Sequence, residues 1–270
     1  MVDHRVGPFR GVTTGTVEPM CGRFVSSSNV DDIAQYFAVE DHPEELADPG
    51  SANRNFNVAP TSDVLAIFEA DGQRRMDRFR WGLVPRWAKD LKIGSRMINA
   101  RAETVAEKNS FKPALAKRRC IIPVDGFYEW QKLEGTKTRQ PMFIHRPDNE
   151  PYAFAGLWET WRVPFDAGDG GGENEGASDE DDKFVWSCTI ITTAANEAMS
   201  PVHDRMPVIL APGDWSRWLD VTNTDVSTVT PLLVPAPDEL IAMHSVTTEV
   251  NNARNHGAHL IERAEPVTVL

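Results

Sequence analysis

The chain has 270 residues, 41% hydrophobic and 9% aromatic, enough for one large domain or two small ones around a real core. No apolar run approaches the ~18–20 residues of a membrane span, and residues 1–19 lack the apolar stretch of a signal peptide. Three cysteines (Cys21, Cys120 and Cys188) with no CxxC pair argue against a disulfide framework and a structural zinc site, so a reduced, cytoplasmic protein with no metal and no cofactor is expected. The net charge of −12 argues against a nucleic-acid partner until its distribution is read. From Arg74 to Arg119 there are 14 Lys and Arg against 4 Asp and Glu, half of the chain's 28 basic residues in one stretch. From Asp166 to Lys183 there are 8 acids and one base. A local basic field governs encounter with phosphates more than the global sum does. On charge alone, a solvated face of arginines explains the stretch equally well.

In chain order, residues 1–19 read as a weakly structured extension, with Gly7, Pro8, Gly11, Gly15 and Pro19 as breakers. "NVDDIAQYF" predicts a short helix, with Asn29 as N-cap and Ile33 and Phe37 on one face. "DVLAIFEA", "RRMDRFRW", "RCIIPVDGFYEWQK", "PMFIHR" and "MPVIL" read as strands, by alternation or by continuous apolar runs. "YAFAGLWETW" and "FVWSCTIITT" are two more, separated by residues 163–183. That Gly- and acid-rich segment has too little apolar surface to offset its ordering entropy and is expected to be a disordered loop. "PGDWSRWL" reads as a helical turn with Pro212 near its start. Strands joined by tight links predict an α+β fold, a single domain over 20–270 with a mostly antiparallel, barrel-like sheet flanked by short helices. There is no regular βαβ series, GxGxxG or Walker A loop.

Four polar islands lie beside apolar strands: "MCGRF" (Cys21, Arg23), "INARAET" (Asn99, Arg101, Glu103), "DGFYEW" (Asp125, Glu129) and "HDRMP" (His203, Asp204, Arg205). Cys, Asn, Glu and His are the side chains needed to make a nucleophile, orient it and move protons. Each also has a plain structural reading: a small buried thiol, a solvent-facing strand residue, a loop brace, or a turn whose Asn bonds backbone.

Taken together and in order, "MCGRF", "NVAP", "RWGLVPRW", "INARAET", "RRCIIPVDGFYEW", "TTAAN" and "HDRMPVIL" resemble the SOS-response-associated peptidase (SRAP) family, from about Met20 to the C-terminus. Members of that family crosslink to abasic sites in DNA, and their cysteine follows the initiator methionine to become the first residue of the mature chain. The resemblance implies that Cys21 is the crosslinking residue and that Asn99, Glu129 and His203 occupy active-site positions. Arg23 and Arg101 fall on positions associated with the site and the DNA backbone, and Arg86, Trp87 and Arg205 complete the expected DNA-binding set. The implied partner is single-stranded DNA containing abasic sites, met by a monomer in the cytoplasm and at the nucleoid on damage, with no membrane involved. The departures are the residues before Met20 and the acidic segment.

The chemistry explains why the position of Cys21 matters. An α-amine, with a reference pKa of about 7.7–8.0, is substantially neutral near physiological pH and attacks the aldehyde of an opened abasic sugar. The thiol on the adjacent carbon then closes a five-membered thiazolidine. An internal cysteine has only an amide nitrogen and cannot do this. Glu129 is expected to move protons, His203 to assist ring opening or imine protonation, and Asn99 to hold the sugar or phosphate. Trp81 and Trp87 are candidates for base stacking, with core packing the competing reading for Trp81. Two rival functions remain: a cytosolic thiol peptidase with Cys21 as nucleophile and His203 as base, and a non-covalent binder of single-stranded DNA.

Overall fold

A computed structural model describes residues 22–47, 54–164 and 183–267. Cys21, the extension before it and most of the acidic segment lie outside the described residues. Among the described residues, twelve strands form two sheets. In the first, β12 (Ala242–Ser245), β8 (Arg139–His145), β7 (Gly126–Lys132), β1 (Phe24–Ser26) and β2 (Asn55–Val58) lie side by side in that order, all antiparallel. In the second, β10 (Phe184–Ala194), β4 (Gln73–Trp81), β3 (Asp63–Ala70), β6 (Arg119–Val124) and β9 (Tyr152–Arg162) run in sequence, and β9 pairs back onto β10. Those five strands therefore close a barrel. Two short strands, β5 (Asn99–Arg101) and β11 (Arg205–Pro207), add to β10. The fold is α+β and mostly antiparallel, as the sequence predicts; the parallel pairings are β10 with β4 and with β5.

The continuous apolar runs follow from burial on both faces. Along β3, Val64, Ala66 and Phe68 point into the barrel. Leu65 and Ile67 point outward under the helices α1 (Val30–Tyr36), α2 (Lys112–Lys117) and α3 (Trp215–Leu219). The same alternation sends Cys120 and Ile122 of β6 inward and Ile121 outward. Helix α1 is started by Asn29, whose Oδ1 accepts from the Asp31 amide at 2.7 Å, and Ile33 and Phe37 are both buried. Arg119, wholly buried, ties this outer layer together. It donates to the carbonyls of Leu115 and Ala116 at the end of α2 and of Trp218, Asp220 and Asn223 at and beyond the end of α3.

Two expected strands are subdivided. "RCIIPVDGFYEWQK" breaks at Asp125, where the chain leaves the barrel for the other sheet. The Asp125 carboxylate accepts from the amides of Ser27 and Ser28 at 2.5 and 2.8 Å, pinning the exit of β1. Gly126 passes so close to Phe143 that an added Cβ would sit 2.4 Å from the ring. "MPVIL" is strand only in its first residues because it crosses between strands. Val208 donates to Ile191 of β10 at 2.9 Å, while Leu210 donates to Ala153 of β9 at 2.9 Å. The strands on either side of the acidic segment pair up to Arg162 and Phe184, and the Val163 amide donates to the Lys183 carbonyl at 2.9 Å. Among the described residues no helix is long and apolar enough to cross a membrane.

Candidate functional site

Four separate stretches of the chain each carry a polar residue next to an apolar neighbour in one core cluster. Phe24, Trp81, Ile98, Phe127, Met199 and Met206 all belong to the barrel cluster. Phe24 and Trp81 pack with ring centroids 5.0 Å apart, and the Trp81 indole donates to the Ile98 carbonyl at 2.9 Å. Trp81 is wholly buried, so it packs the core and is not a stacking platform for bases.

The chain enters through Gly22 and Arg23. Strand β1 runs antiparallel to β7 with Phe24 opposite Phe127, and the Tyr128 amide donates to the Arg23 carbonyl at 3.0 Å. Continued outward by two residues, the same register carries Gly22 toward Glu129. Arg23 is anchored by Asn57 Oδ1 at 2.7 Å and the Val250 carbonyl at 2.8 Å, and its guanidinium lies 5.9 Å from the Trp130 ring centroid. Burial lowers its pKa, and burial also pushes the Tyr128 phenol up. Asn57, only 1% exposed, turns its amide to the carbonyls of Asn252 and Asn255, so it fastens the C-terminal stretch beside Arg23. The sequence shows Asn57 within "NVAP" but nothing there discloses this clamp, because its partners are remote carbonyls.

Asn99 and Arg101 lie on β5, paired with Ile190 and Thr192 of β10; Arg101 is exposed. Glu129 lies on β7 opposite Met142 and is 4% exposed. His203 follows the turn that starts at Asn196. The Arg205 amide donates to its Nδ1 at 3.1 Å, which places the proton of the neutral ring on Nε2. Asp204 Oδ1 stands 3.0 Å from the same nitrogen, but that side chain is 88% exposed and faces water. Gln131, two residues beyond Glu129, donates to the Pro201 carbonyl at 3.3 Å and so joins the Glu129 strand to the His203 turn.

Arg205 itself is occupied. Its Nη1 and Nη2 grip Glu103 at 2.6 and 3.0 Å, and Nη2 also reaches the Thr192 carbonyl at 2.7 Å. That hydrogen bond from Arg205, with the charges of Arg205 and Arg101 adding, holds the Glu103 carboxyl below the usual range. Arg86 and Trp87 belong to a different network. Their loop is closed at its base by Gly82, at φ +125, where an added Cβ would lie 2.6 Å from the Gly94 carbonyl. Arg86 pairs with Glu159 at 2.9 Å, and Trp87 is 61% exposed. Asp125 serves the Ser27–Ser28 turn. Cys120 and Cys188 lie inside the barrel, where burial raises both thiols well above their ordinary range, so neither has the thiolate a nucleophile needs.

Residues 20–253 match the SOS response associated peptidase (SRAP) family. The chain belongs to that family. It is 42% identical over 243 residues to the abasic site processing protein YoqW of Bacillus subtilis, covering 90% of this chain and 99% of that one. It is 35% identical to YedK of Escherichia coli, over 90% of this chain and 99% of that one, and 34% identical to HMCES of Pongo abelii, over 88% and 74%. Both of these carry the same descriptive name, abasic site processing protein. A solved structure of a protein from Bacteroides thetaiotaomicron superposes with a TM-score of 0.72 at 23% identity, over 90% of this chain and 99% of that one, a likeness of fold. In this SRAP chain the matched region takes in Arg23, Asn99, Arg101, Glu129, His203 and Arg205.

Proposed function

We propose that this protein captures abasic sites in single-stranded DNA as a covalent adduct on Cys21, acting as the N-terminal residue of the working chain. The observation that supports the reading is the linkage of the Arg23, Glu129 and His203 segments. Arg23 is fixed by Asn57, Val250 and Tyr128, and the register of its strand carries Gly22 toward Glu129. The His203 turn is bonded to that same strand through Gln131. Cys21 is the residue before Gly22, and the two other cysteines are sealed in the barrel.

The reaction begins with an abasic deoxyribose opening to its aldehyde. The Cys21 α-amine adds to the carbonyl carbon, and the carbinolamine loses water to give an imine. The thiol then adds to the imine carbon: a C–S bond forms, the C=N electrons go to nitrogen, and the thiol proton follows them. The product is a thiazolidine, with no net redox change. Glu129, a buried carboxyl on β7, relays protons between the amine and the sugar oxygen. His203, with Nε2 as the proton-bearing nitrogen of its neutral form, donates to the ring oxygen as it opens. Asn99 holds the sugar or its phosphate. Arg101 is exposed and meets the phosphate backbone. Arg23 fixes the chain start, and Arg205 braces β5 and β10 while its amide orients His203. Arg86 and Trp87 meet the strand farther along. Removal of the initiator at Met20 supplies the free amine, as does loss of residues 1–20 from a chain begun at Met1, the self-processing that the family name suggests.

The test is a denaturing gel with an abasic single strand. A chain begun at Met20 is expected to give a shifted band that survives heat, detergent and a high-salt wash. Cys21→Ala is expected to lose the heat-stable band, keep weak DNA binding and yield an adduct only when borohydride traps the imine. A complex that salt dissociates points to a non-covalent binder. Cleavage of added proteins without any adduct points to a thiol peptidase.

A further inference from the structure

Asn57 lies on β2, is almost wholly buried, and takes no part in the chemistry described above. Both ends of its side-chain amide are engaged. Its Oδ1 accepts from Arg23 Nη1 at 2.7 Å, and its Nδ2 donates to the Asn255 carbonyl at 3.0 Å and the Asn252 carbonyl at 3.1 Å. Its backbone amide is held by Asn55 Oδ1 at 2.8 Å. The two carbonyls belong to a C-terminal strap, residues 248–257, which opens with the 3-10 turn Thr248–Asn251. The strap is closed on itself by Asn255 Nδ2, which donates to the Glu249 carbonyl at 2.8 Å. It also returns to Arg23 by two routes. The Val250 carbonyl accepts from Arg23 Nη1 at 2.8 Å. Asn251 Oδ1 accepts from the Trp130 indole at 2.6 Å, and the Arg23 guanidinium lies over that ring. The circuit is closed: Arg23 to Asn57, Asn57 to the strap, the strap to Arg23. A primary amide suits its centre. A carboxylate has no proton for the carbonyls, a hydroxyl has one, and a cation would face the guanidinium.

We infer that Asn57 is a positioning residue for adduct formation: by joining Arg23 to the C-terminal strap, it sets the direction in which the chain leaves β1 toward Cys21. Cys21 is two residues before Arg23. Among the described residues, the chain there is tied down by the Tyr128 amide on the Arg23 carbonyl and by the Arg23 side chain. Attack needs the amine within about 3–3.5 Å of the sugar carbon, and a misplacement of about 1 Å costs as much as ~10²-fold in rate. A side chain that fixes Arg23 therefore acts on the rate of attack and leaves the affinity for the strand alone. This inference rests on the crosslinking reading, and the experiment separates the two.

Crosslinking rates are measured against the concentration of an abasic single strand for chains begun at Met20. Asn57→Leu removes both arms of the amide. Asn57→Asp keeps an acceptor for Arg23 but, ionised, has no proton for the strap. Ile33→Ala trims a buried residue of helix α1 and serves as the control for lost stability. Asn57→Leu is expected to lower the saturated rate about tenfold, with the half-saturating concentration within about twofold of the parent. Asn57→Asp is expected to lower the saturated rate by about threefold or more, because the strap arm is gone. Ile33→Ala is expected to lower the melting temperature and keep the parent rate. Capture of free acetaldehyde by Cys21, which needs no placement against a bound sugar, is expected to match the parent in every variant. Where Asn57→Leu fails to fold, Asn57→Ser carries the same expectations. A parent saturated rate in either Asn57→Leu or Asn57→Asp overturns the inference. So does a raised half-saturating concentration at an unchanged saturated rate, which would make Asn57 a binding residue. An equal slowing in Ile33→Ala, or an equal fall in acetaldehyde capture, also overturns it. Should the parent form no adduct with any abasic strand, the crosslinking reading fails and this role falls with it; an adduct formed equally well by parent and variants rejects this role alone.

Discussion

Arg119 and Arg101 belong to the same basic stretch of the chain and have opposite environments. Arg119 is wholly buried and spends its donors on five backbone carbonyls. Arg101 is exposed, on the edge strand that also carries Asn99. Charge density along a sequence therefore overstates a phosphate-binding surface. Some of its cations act as hydrogen-bond hubs inside the fold, and only the remainder is available to DNA. Stability loss on substitution should fall from Arg119 to Arg101, while loss of salt-dependent DNA binding should rise in the same order.

At the stability end, Arg119→Met is expected to cost about 3 kcal/mol or more, because several carbonyls lose their donor in a site closed to water. Denaturant unfolding measures this, and the salt slope of DNA binding should stay unchanged in whatever fraction folds. Arg23→Ala comes next. It frees Asn57 Oδ1 and the Val250 carbonyl, for about 2 kcal/mol. Because it also loosens the chain start, it should slow adduct formation more than it weakens the initial encounter with DNA. A variant with lowered stability and a normal crosslinking rate would show that Arg23 braces only the C-terminal stretch.

The Glu103–Arg205 pair is a smaller effect, half exposed on the carboxylate side. The Glu103 pKa is lowered in the folded protein, so its contribution is complete above the ordinary carboxylate value near ~4.3 and is lost as pH falls through the lowered value. Glu103→Gln should remove that acid-side loss, a difference of about 1 kcal/mol at most, read from melting temperature against pH. Arg101→Ala should be nearly silent in stability, within about 0.5 kcal/mol. It should flatten the log–log salt dependence of single-strand binding by about 0.7. Equal salt slopes for the Arg119 and Arg101 variants would dissolve the distinction between the two arginines.

Much of the fold is legible in sequence because the barrel strands bury both faces and therefore read as apolar runs; "DVLAIFEA" coincides with β3. The breaks are less legible. Asp125 and Gly126 mark a change of sheet through a carboxylate bonded to Ser27 and Ser28 and a missing Cβ against Phe143, which are contacts remote in sequence. At the site, residue type and order point to Asn99, Glu129 and His203. The roles of Asn57, Gln131, Arg118 and Glu159 rest on partners brought close only by folding. Arg205 illustrates the difference: its neighbour His203 marks it as a site residue, but its capture by Glu103 and Thr192 is visible only in three dimensions.

The central claim, that the adduct forms on an N-terminal Cys21, is tested most directly by the intact mass of the protein–DNA adduct followed by peptide mapping. The expected mass is that of a chain starting at Cys21 plus the abasic strand minus one water, with the modification on the Cys21 peptide. An adduct of undiminished yield on a chain that still carries Met1, or on a peptide lacking Cys21, would contradict it.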